Sequence, residues 1–454
     1  MKTQKSPQKS RVALVYPPIN PENDSIRDLG TTPPLHLMAL GAVLRDRDVR
    51  IFDGVHKNLG QITSELQDFS PDVVGMNVDL TNYDTAMKLA DRVPGRVILG
   101  GNYAAFLAPQ ILANQPAVEA VCFNDGEMAI RGFVDGDMTA PNLIHRGGRN
   151  PVDLLDVAHL PTPAYDLVNM EDYFERQREV FGPDFKMMQF YGQKGCVNHP
   201  HCSFCGRYED GMRLRDPEEY SAEVIKHVKE FGLTEVWDRS DSFLQNRNWF
   251  SIIHSRLRGL GPRFKTYARA DQLDDEVVSM LGDMNFRSVY IGYEAGDDSL
   301  LREMNKNETT EQYLESSRKV LGAGIDVDGS FIIGLPGENK KTLENQVQFV
   351  NQLADLGLKK IKVNRVLVLP GTPLYRRVCD AYPAVRSKDS FGISDMQRKL
   401  YSTYDLSDFG GSVDNFVERI NSTAEVMTQT ILDRGGCAEG YGYEKKSISG
   451  GSEV

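Results

Sequence analysis

The sequence predicts an α/β protein made of two successive strand–helix alternations and a small C-terminal helical region. Three observations predict it. Short apolar runs alternate with helical patterns over the first 135 or so residues, a Gly-, Asn- and Pro-rich stretch interrupts them, and a second alternation starts near Met187. Strands separated by helical patterns of roughly 10–15 residues specify parallel sheets covered by helices on both faces. The length of 454 residues agrees, since about 150 residues per domain suggests three structural units.

Composition narrows the function classes. Hydrophobic residues make up 40% and charged residues 26%, which excludes wholesale disorder. Lys and Arg total 52 against 64 Asp and Glu, a net charge of −12 that argues against a broad nucleic-acid surface. No apolar run is long enough for a membrane span. The basic start, MKTQKSPQKSR, lacks the apolar core of a secretory signal, so a soluble cytoplasmic enzyme is expected. The Ser/Gly-rich tail SISGGSEV is expected to fray.

In the first alternation, Arg11–Pro18 (RVALVYPP) reads as a strand ending in a Pro-rich loop, and Pro34–Arg45 as a helix. Val49–Asp53 is the second strand, Leu59–Phe69 a helix, and Asp72–Val78 (DVVGMNV) the third strand. Tyr83–Arg92 is helical, Arg96–Gly101 (RVILGG) is the fourth strand, Ala117–Phe123 (AVEAVCF) the fifth, and a helix starts at Gly126. The chain then breaks into Gly, Asn and Pro up to Pro151, and Leu160–Tyr165 (LPTPAY) is a Pro-rich connector. These breaks put the first domain at 1–140 and a linker at 141–182.

The second alternation has strands at Met187–Tyr191, Glu235–Asp238, Phe264–Ala268, Ser288–Tyr293, Val327–Ile333 and Lys360–Leu369. Amphipathic helices at Pro217–Phe231, Asp274–Met284, Thr310–Ala323 and Thr342–Leu356 lie between them. Six strands with intervening helices make a partial (β/α)6 barrel over 183–390. The remainder, 391–454, is a helical region with one helix at Asn415–Leu432 and a flexible tail.

The chemistry concentrates in one loop after the first strand of this second unit: Gly195-Cys196-Val197-Asn198-His199-Pro200-His201-Cys202-Ser203-Phe204-Cys205-Gly206-Arg207. Six cysteines in the whole chain are too few for a disulfide scaffold, and three of them fall here as C-x5-C-x2-C. Three thiolates can hold three irons of a four-iron cube and leave the fourth open to a small molecule. A zinc site is the alternative, with His199 or His201 completing a set of Cys196, Cys202 and Cys205. Free thiols are the third.

The surroundings carry a resemblance. The Phe204-Cys205-Gly206-Arg207 ending, at the end of a barrel's first strand, resembles the radical S-adenosylmethionine (SAM) superfamily. Ile291-Gly292-Tyr293-Glu294-Ala295-Gly296 resembles its acidic strand end, and Gly329–Glu338 (GSFIIGLPGE) its glycine-rich SAM-contact strand. Leu369–Tyr375 (LPGTPLY) resembles the segment that closes many such barrels. One departure stands out: the family's usual spacing is C-x3-C-x2-C, and here five residues separate the first pair.

The resemblance implies a 4Fe–4S cluster on Cys196, Cys202 and Cys205, with SAM chelating the open iron and cleaved to a 5′-deoxyadenosyl radical. It implies SAM contacts from Phe204, Arg269, Glu294, Ser330 and Gly334. Arg269 would pair with the carboxylate and Glu294 with ribose hydroxyls or the ammonium, while Ser330 and Gly334 would let the backbone approach. Asp238, Asp241, His199 and His201 are candidates for substrate contact.

The first unit is similar to the Rossmann-like cobalamin-binding domain of the cobalamin-dependent radical SAM class. The residues that carry this are Tyr16-Pro17-Pro18 after the first strand, Leu99–Ala104 (LGGNYA) after the fourth, and Asn124-Asp125-Gly126-Glu127 after the fifth. Asp153–Asp156 with Leu160–Tyr165 resembles the linker of that class. Ligands of open α/β sheets sit beyond the carboxyl ends of the strands. The implied cobalamin contacts are Tyr16, Pro17, Gly100, Gly101, Asn102, Gly126 and Glu127. Met76, Asn77 and Asp79 end the third strand and face either the corrin or the core. Asp53–Gly60 (DGVHKNLG) misses the D-x-H-x-x-G signature by its spacing, so His56 reads as part of a strand-to-helix turn. No G-x-G-x-x-G follows the first strand, which weakens a dinucleotide site as the rival.

Taken together these imply a cobalamin-dependent radical SAM enzyme that methylates an unactivated carbon of a small natural-product metabolite. The alternatives are a radical ring contraction, cyclisation, rearrangement or oxidation, and, from another class, a zinc-stabilised binding protein. The implied partners are a small-molecule substrate and a flavodoxin- or ferredoxin-type electron donor, with neither nucleic acid nor membrane.

Overall fold

The run RVALVY places apolar side chains on both faces of its pleat, and both faces are covered: Val12, Ala13, Leu14 and Val15 are fully buried. In the computed structural model, which describes residues 9–19, 30–207, 211–388 and 392–440, this run is an inner strand of a seven-stranded sheet. The expectations for the extreme N-terminus and for the SISGGSEV tail lie outside the described residues.

The described chain divides at Val180/Phe181 into two compact units, the second comprising residues 181–385 and 392–440. The strands of the first are β1 (Arg11–Tyr16), β2 (Asp48–Asp53), β3 (Val73–Asn77), β4 (Arg96–Gly100), β5 (Val118–Cys122), β6 (Leu143–His145) and β7 (Gly148–Arg149). Between them run α1 (Leu35–Val43), α2 (Leu59–Phe69), α3 (Tyr83–Ala90), α4 (Asn102–Phe106), α5 (Ala108–Asn114) and α6 (Gly126–Val134), with α7 (Met170–Phe181) following. The order is β2-β1-β3-β4-β5-β6-β7, and β1 to β5 are parallel. Strands β6 and β7 add an antiparallel edge. The expected five parallel strands are therefore present, and the stretch 141–182 contributes two more strands and a helix. On one face, Leu14, Ile98, Ile130, Phe133 and Leu143 share a core. Strand order reverses between β1 and β3, and a crevice opens at such a switch point.

The second unit holds β8 (Met187–Phe190), β9 (Gln193–Cys196), β10 (Gly211–Leu214), β11 (Glu235–Asp238), β12 (Arg263–Ala268), β13 (Phe286–Glu294), β14 (Asp326–Ile333), β15 (Lys360–Arg365) and β16 (Cys437–Gly440). Its helices are α8 (Pro217–Phe231), α9 (Arg247–Leu257), α10 (Asp275–Asp283), α11 (Asp298–Glu303), α12 (Thr310–Gly322), α13 (Lys340–Asp355), α14 (Pro373–Ala381), α15 (Ile393–Tyr401) and α16 (Val413–Leu432). Seven strands pair in parallel, in the order β8-β11-β12-β13-β14-β15-β16, with β9 and β10 forming a separate hairpin. The six expected strands are all found, and β16 after α16 is a seventh.

Alternation along the strands separates two faces. Tyr293 and Phe331 point outward to Phe349 of α13, at 5.8 and 6.2 Å between ring centroids. Asp238 is likewise outward, accepting a 2.8 Å hydrogen bond from Tyr220 of α8. Their strand neighbours Trp237, Tyr290 and Ser330 therefore lie on the inner face, where Ser288 of β13 donates to Asp328 of β14 at 3.2 Å.

The strand end after β14 is held by a buried acid. Glu338 accepts from Gly334 N–H at 2.9 Å and from Gln346 at 3.3 Å. Burial pushes its carboxyl from 4.5 up to about 8. Between those values the folded chain keeps a proton that the unfolded chain has released. This contribution to stability is complete below about pH 4.5 and declines as pH rises toward about 8. Glu338→Gln cannot ionise, so wild type should lose stability relative to it by up to about 1.4 kcal/mol per pH unit across that window. Urea unfolding of both proteins at several pH values measures the difference.

Candidate functional site

The cysteine loop begins on a hairpin, not directly on the barrel strand. Gly195 (φ +90°) precedes Cys196, and a Cβ there would lie 2.0 Å from the Gly211 carbonyl, so the crossing of β9 and β10 requires glycine. Cys205 N–H donates to Cys202 carbonyl at 2.9 Å, a turn that sets Phe204 between the last two thiols, partly exposed. Ser203 is fixed on both sides: its N–H donates to Met304 carbonyl at 2.9 Å, and its carbonyl accepts from Leu374 N–H at 3.3 Å.

Asn198 supports the loop from within. Its Nδ2 donates to Cys202 Sγ at 3.3 Å and to Asn305 carbonyl at 2.7 Å, and its Oδ1 accepts from Asn307 at 2.9 Å. Asn305 and Asn307 both have positive φ (57° and 56°), a conformation that asparagine tolerates better than most residues. The turn they make presents Lys306 to the strand ends. Lys306 pairs with Glu294 at 3.4 Å and Glu308 at 3.6 Å, and Arg269 pairs with Asp271 at 3.1 Å and Glu308 at 3.6 Å. Burial alone would lower the Lys306 pKa, but Glu294 and Glu308 raise it, so the ammonium keeps its proton. Glu294 itself sits at φ +61°, beside a register shift in β13. Such strain in a non-glycine residue persists only where its surroundings hold it.

Burial pushes the Cys202 thiol up to about 11 and raises Cys205 as well. Each thiol nevertheless faces a cation: Lys306 acts on Cys202, Arg207 on Cys205, and Cys196 acts on Arg269. Buried thiolates need such partners. Ser203 Oγ and both polar atoms of the Gln193 amide are buried without a hydrogen-bond partner. Thiols on which Lys306, Arg207 and Arg269 act, beside unpartnered polar groups, fit an anionic cluster and a polar ligand. Among the described residues no group of three or more His, Cys, Asp or Glu side chains converges to hold one metal ion.

The other expected residues fall as follows. Ser330 is buried and acts on Tyr290. Gly334 is used internally: its carbonyl accepts from Tyr404 at 2.9 Å, and a Cβ would lie 2.5 Å from the Tyr401 hydroxyl. Asp238 faces α8 and is raised to about 6 by burial, while Asp241 at the strand end pairs with Arg207. His199 is exposed and His201 partly so, with ring centroids 6.3 Å apart. Sequence reasoning missed Lys306, Glu308 and Asn198; the only signal was the polar run Asn305-Lys306-Asn307-Glu308 between two helices.

In the first unit the expected residues gather at the carboxyl ends of the strands. Tyr16 donates to Asp79 at 2.7 Å across the switch point, and Pro17 is buried beside it. Above Gly100 a methyl would meet no atom within 4 Å. Gly101 caps α4, which Asn102 begins exposed; Gly126 begins α6, with Glu127 buried in its first turn. Asn124 Oδ1 is buried without a partner at the end of β5. Open space and an unpaired acceptor at this edge fit a bound group. Met76 is buried in the core. His56 packs on Gly30, where a Cβ would lie 2.0 Å from its Nε2.

A three-cysteine loop beside a parallel sheet and a doubly wound sheet with an open carboxyl edge suit a cofactor-using enzyme, and comparison with known proteins specifies the class. Residues 191–350 match the radical SAM superfamily and residues 27–134 the B12 binding domain. The chain belongs to the cobalamin-dependent radical SAM family, whose cofactors are a 4Fe–4S cluster, SAM and cobalamin.

An uncharacterised methyltransferase of Pyrococcus horikoshii is 27% identical over 389 residues, covering 80% of this chain and 82% of that protein. The cytidylyl-2-hydroxyethylphosphonate methyltransferase of Streptomyces wedmorensis is 23% identical over 61% of this chain and 60% of its own length. Among solved structures, the fold is shared with OxsB, a cobalamin-dependent SAM radical enzyme solved with aqua-cobalamin and SAM. There the TM-score is 0.64 at 18% identity, covering 84% of this chain and 56% of that one. TsrM from Kitasatospora setae, a radical SAM methyltransferase solved with cobalamin and a 4Fe–4S cluster, gives 0.65 at 16% identity, covering 82% and 78%. No helix among the described residues is long and apolar enough to cross a membrane.

After anaerobic reconstitution, Cys196→Ala, Cys202→Ala and Cys205→Ala should each lose most of the roughly four irons per chain that a cube requires. Cys122→Ala, Cys379→Ala and Cys437→Ala should keep them, as iron and sulfide analysis will show. Lys306→Met leaves Glu294 and Glu308 without their shared cation and should cost about 3 kcal/mol or more in denaturant unfolding. Lys306→Arg should restore much of it.

Proposed function

We propose that this chain cleaves SAM reductively and methylates an unactivated carbon of a small metabolite, with cobalamin as methyl carrier. The observation that carries this reading is the thiol loop, with a cation acting on each sulfur, in the same chain as a B12 binding domain. The methyltransferase names of the Pyrococcus and Streptomyces relatives support it. When bound, the cofactors supply a carbon radical able to remove hydrogen from an unreactive C–H bond, and the methyl group that replaces it.

The chain's own part is holding and orienting. Cys196, Cys202 and Cys205 are the cluster ligands, and Lys306, Arg269 and Arg207 balance their charge. Phe204, Glu294 and Ser330 face SAM. Arg269 reaches its carboxylate only by loosening from Asp271 and Glu308, with which it pairs. Gly334 acts through its fold, since its N–H and carbonyl are both engaged. Asp241 and the loop histidines border the substrate; Asp238, turned toward α8, supports the strand end. In the other unit Tyr16, Pro17, Gly100, Gly101, Asn102, Gly126 and Glu127 line the cobalamin site. A flavodoxin- or ferredoxin-type protein supplies the electron.

The products of SAM test the reading. Comparable yields of 5′-deoxyadenosine and S-adenosylhomocysteine from the reduced, cobalamin-loaded enzyme are expected. Deoxyadenosine alone would point to a rearrangement or oxidation, and neither product would defeat the reading. Reconstitution with cobalamin followed by desalting should leave its visible absorption on the protein.

A further inference from the structure

We propose that the substrate of this enzyme is an organic anion, a carboxylate or phosphoryl compound with a flat apolar body, and that Arg239 receives its oxyanion. The proposal rests on the catalytic reading above and names the substrate class of that site. Three arginines of this unit are committed to carboxylates: Arg207 to Asp241, Arg215 to Glu223 at 2.8 Å, and Arg269 to Asp271 and Glu308. Arg239 differs. It follows β11 directly, is exposed, and makes no ion pair and no side-chain hydrogen bond among the described residues.

Its position is nevertheless defined. The guanidinium carbon lies 4.2 Å from the centroid of Trp237 and 5.4 Å from that of Tyr267. Stacking of this kind satisfies the face of a guanidinium and leaves its edge, with its forked N–H donors, free for a planar oxyanion. The rings continue across the inner face, with Trp237 and Tyr267 6.2 Å apart and Tyr267 and Tyr290 5.1 Å apart. All three are partly exposed. Ser330 of the next strand and Glu294 both act on Tyr290. The aromatic row therefore runs from the unpaired cation to the strand ends assigned to SAM.

Such a row needs an occupant. Partly exposed aromatic rings in a concave barrel end favour a flat or apolar body, and an unpaired guanidinium at one end favours negative charge. Deeper in the barrel Lys265 lies 4.0 Å over Trp237, but Glu235 claims it at 3.5 Å, whereas Arg239 has no carboxylate partner among the described residues.

The test uses the reconstituted enzyme and simple probes: benzoate, phenyl phosphate, inorganic phosphate and neutral benzamide, measured by equilibrium dialysis and tryptophan fluorescence. Trp237 is one of two tryptophans, and the other, Trp249, is buried in the protein core. Benzoate or phenyl phosphate should bind and change the fluorescence; which one binds more tightly identifies the oxyanion. Benzamide and inorganic phosphate should bind at least about tenfold more weakly, lacking either the charge or the body. Arg239→Gln should weaken the anions about tenfold or more, with Arg239→Lys in between, while affinity for S-adenosylhomocysteine and cluster content stay as in wild type. The proposal is overturned if benzamide binds as well as benzoate, if neither anion binds, or if Arg239→Gln leaves their affinity unchanged. It is equally overturned if S-adenosylhomocysteine displaces benzoate, which would make Arg239 part of the SAM site. Failure of wild type to bind S-adenosylhomocysteine would strike the catalytic reading instead, leaving the anion result intact.

Discussion

Five residues, Met304 to Glu308, hold the second unit's chemistry together. Their backbone accepts from Ser203 and Asn198 in the cysteine loop, and their side chains reach the ends of β12 and β13 through Arg269 and Glu294. A loop of three thiols has no hydrophobic core of its own to set its shape. Polar groups must do it, and in a buried setting a polar network is strong when complete and costly when broken. Two left-handed asparagines make this segment possible, because they turn successive backbone carbonyls toward Asn198 and Arg269 within a few residues.

The charge pattern follows from the same constraint. Burial raises Cys202 and Cys205, a cation acts on each of these two, and the carboxylates Glu294 and Glu308 keep Lys306 charged in turn. This alternation lets ionisable groups crowd one barrel end without leaving a lone buried charge. Arg239 stands outside that network, held by rings in place of carboxylates, which is why it is free to answer a charge that arrives with a ligand.

Much of the fold was legible in the sequence because strands buried on both faces read as continuous apolar runs. Glu235–Asp238 and the helices Leu59–Phe69 and Pro217–Phe231 carry the same limits in sequence and structure. Elements built without that signal were missed. The strand Gln193–Cys196 is polar and exists because it pairs with Gly211–Leu214 across an insertion. The strands at Leu143 and Gly148 are three and two residues long, and Cys437–Gly440 forms only by adding to the sheet edge beside β15. At the site, the cysteines announced themselves by spacing and Glu294 by its motif. Lys306 and Asn198 did not, since their roles arise from contacts about a hundred residues apart in sequence. Asp238 looked like a mouth residue from its place at a strand end, but the pleat turns it toward Tyr220.

The central claim is that Cys196, Cys202 and Cys205 bind three irons of a cube and leave the fourth to SAM. Mössbauer spectroscopy of protein reconstituted with 57Fe, recorded with and without SAM, tests it most directly. One iron in four should differ from the rest and shift when SAM is added. Four equivalent irons that ignore SAM would contradict the account.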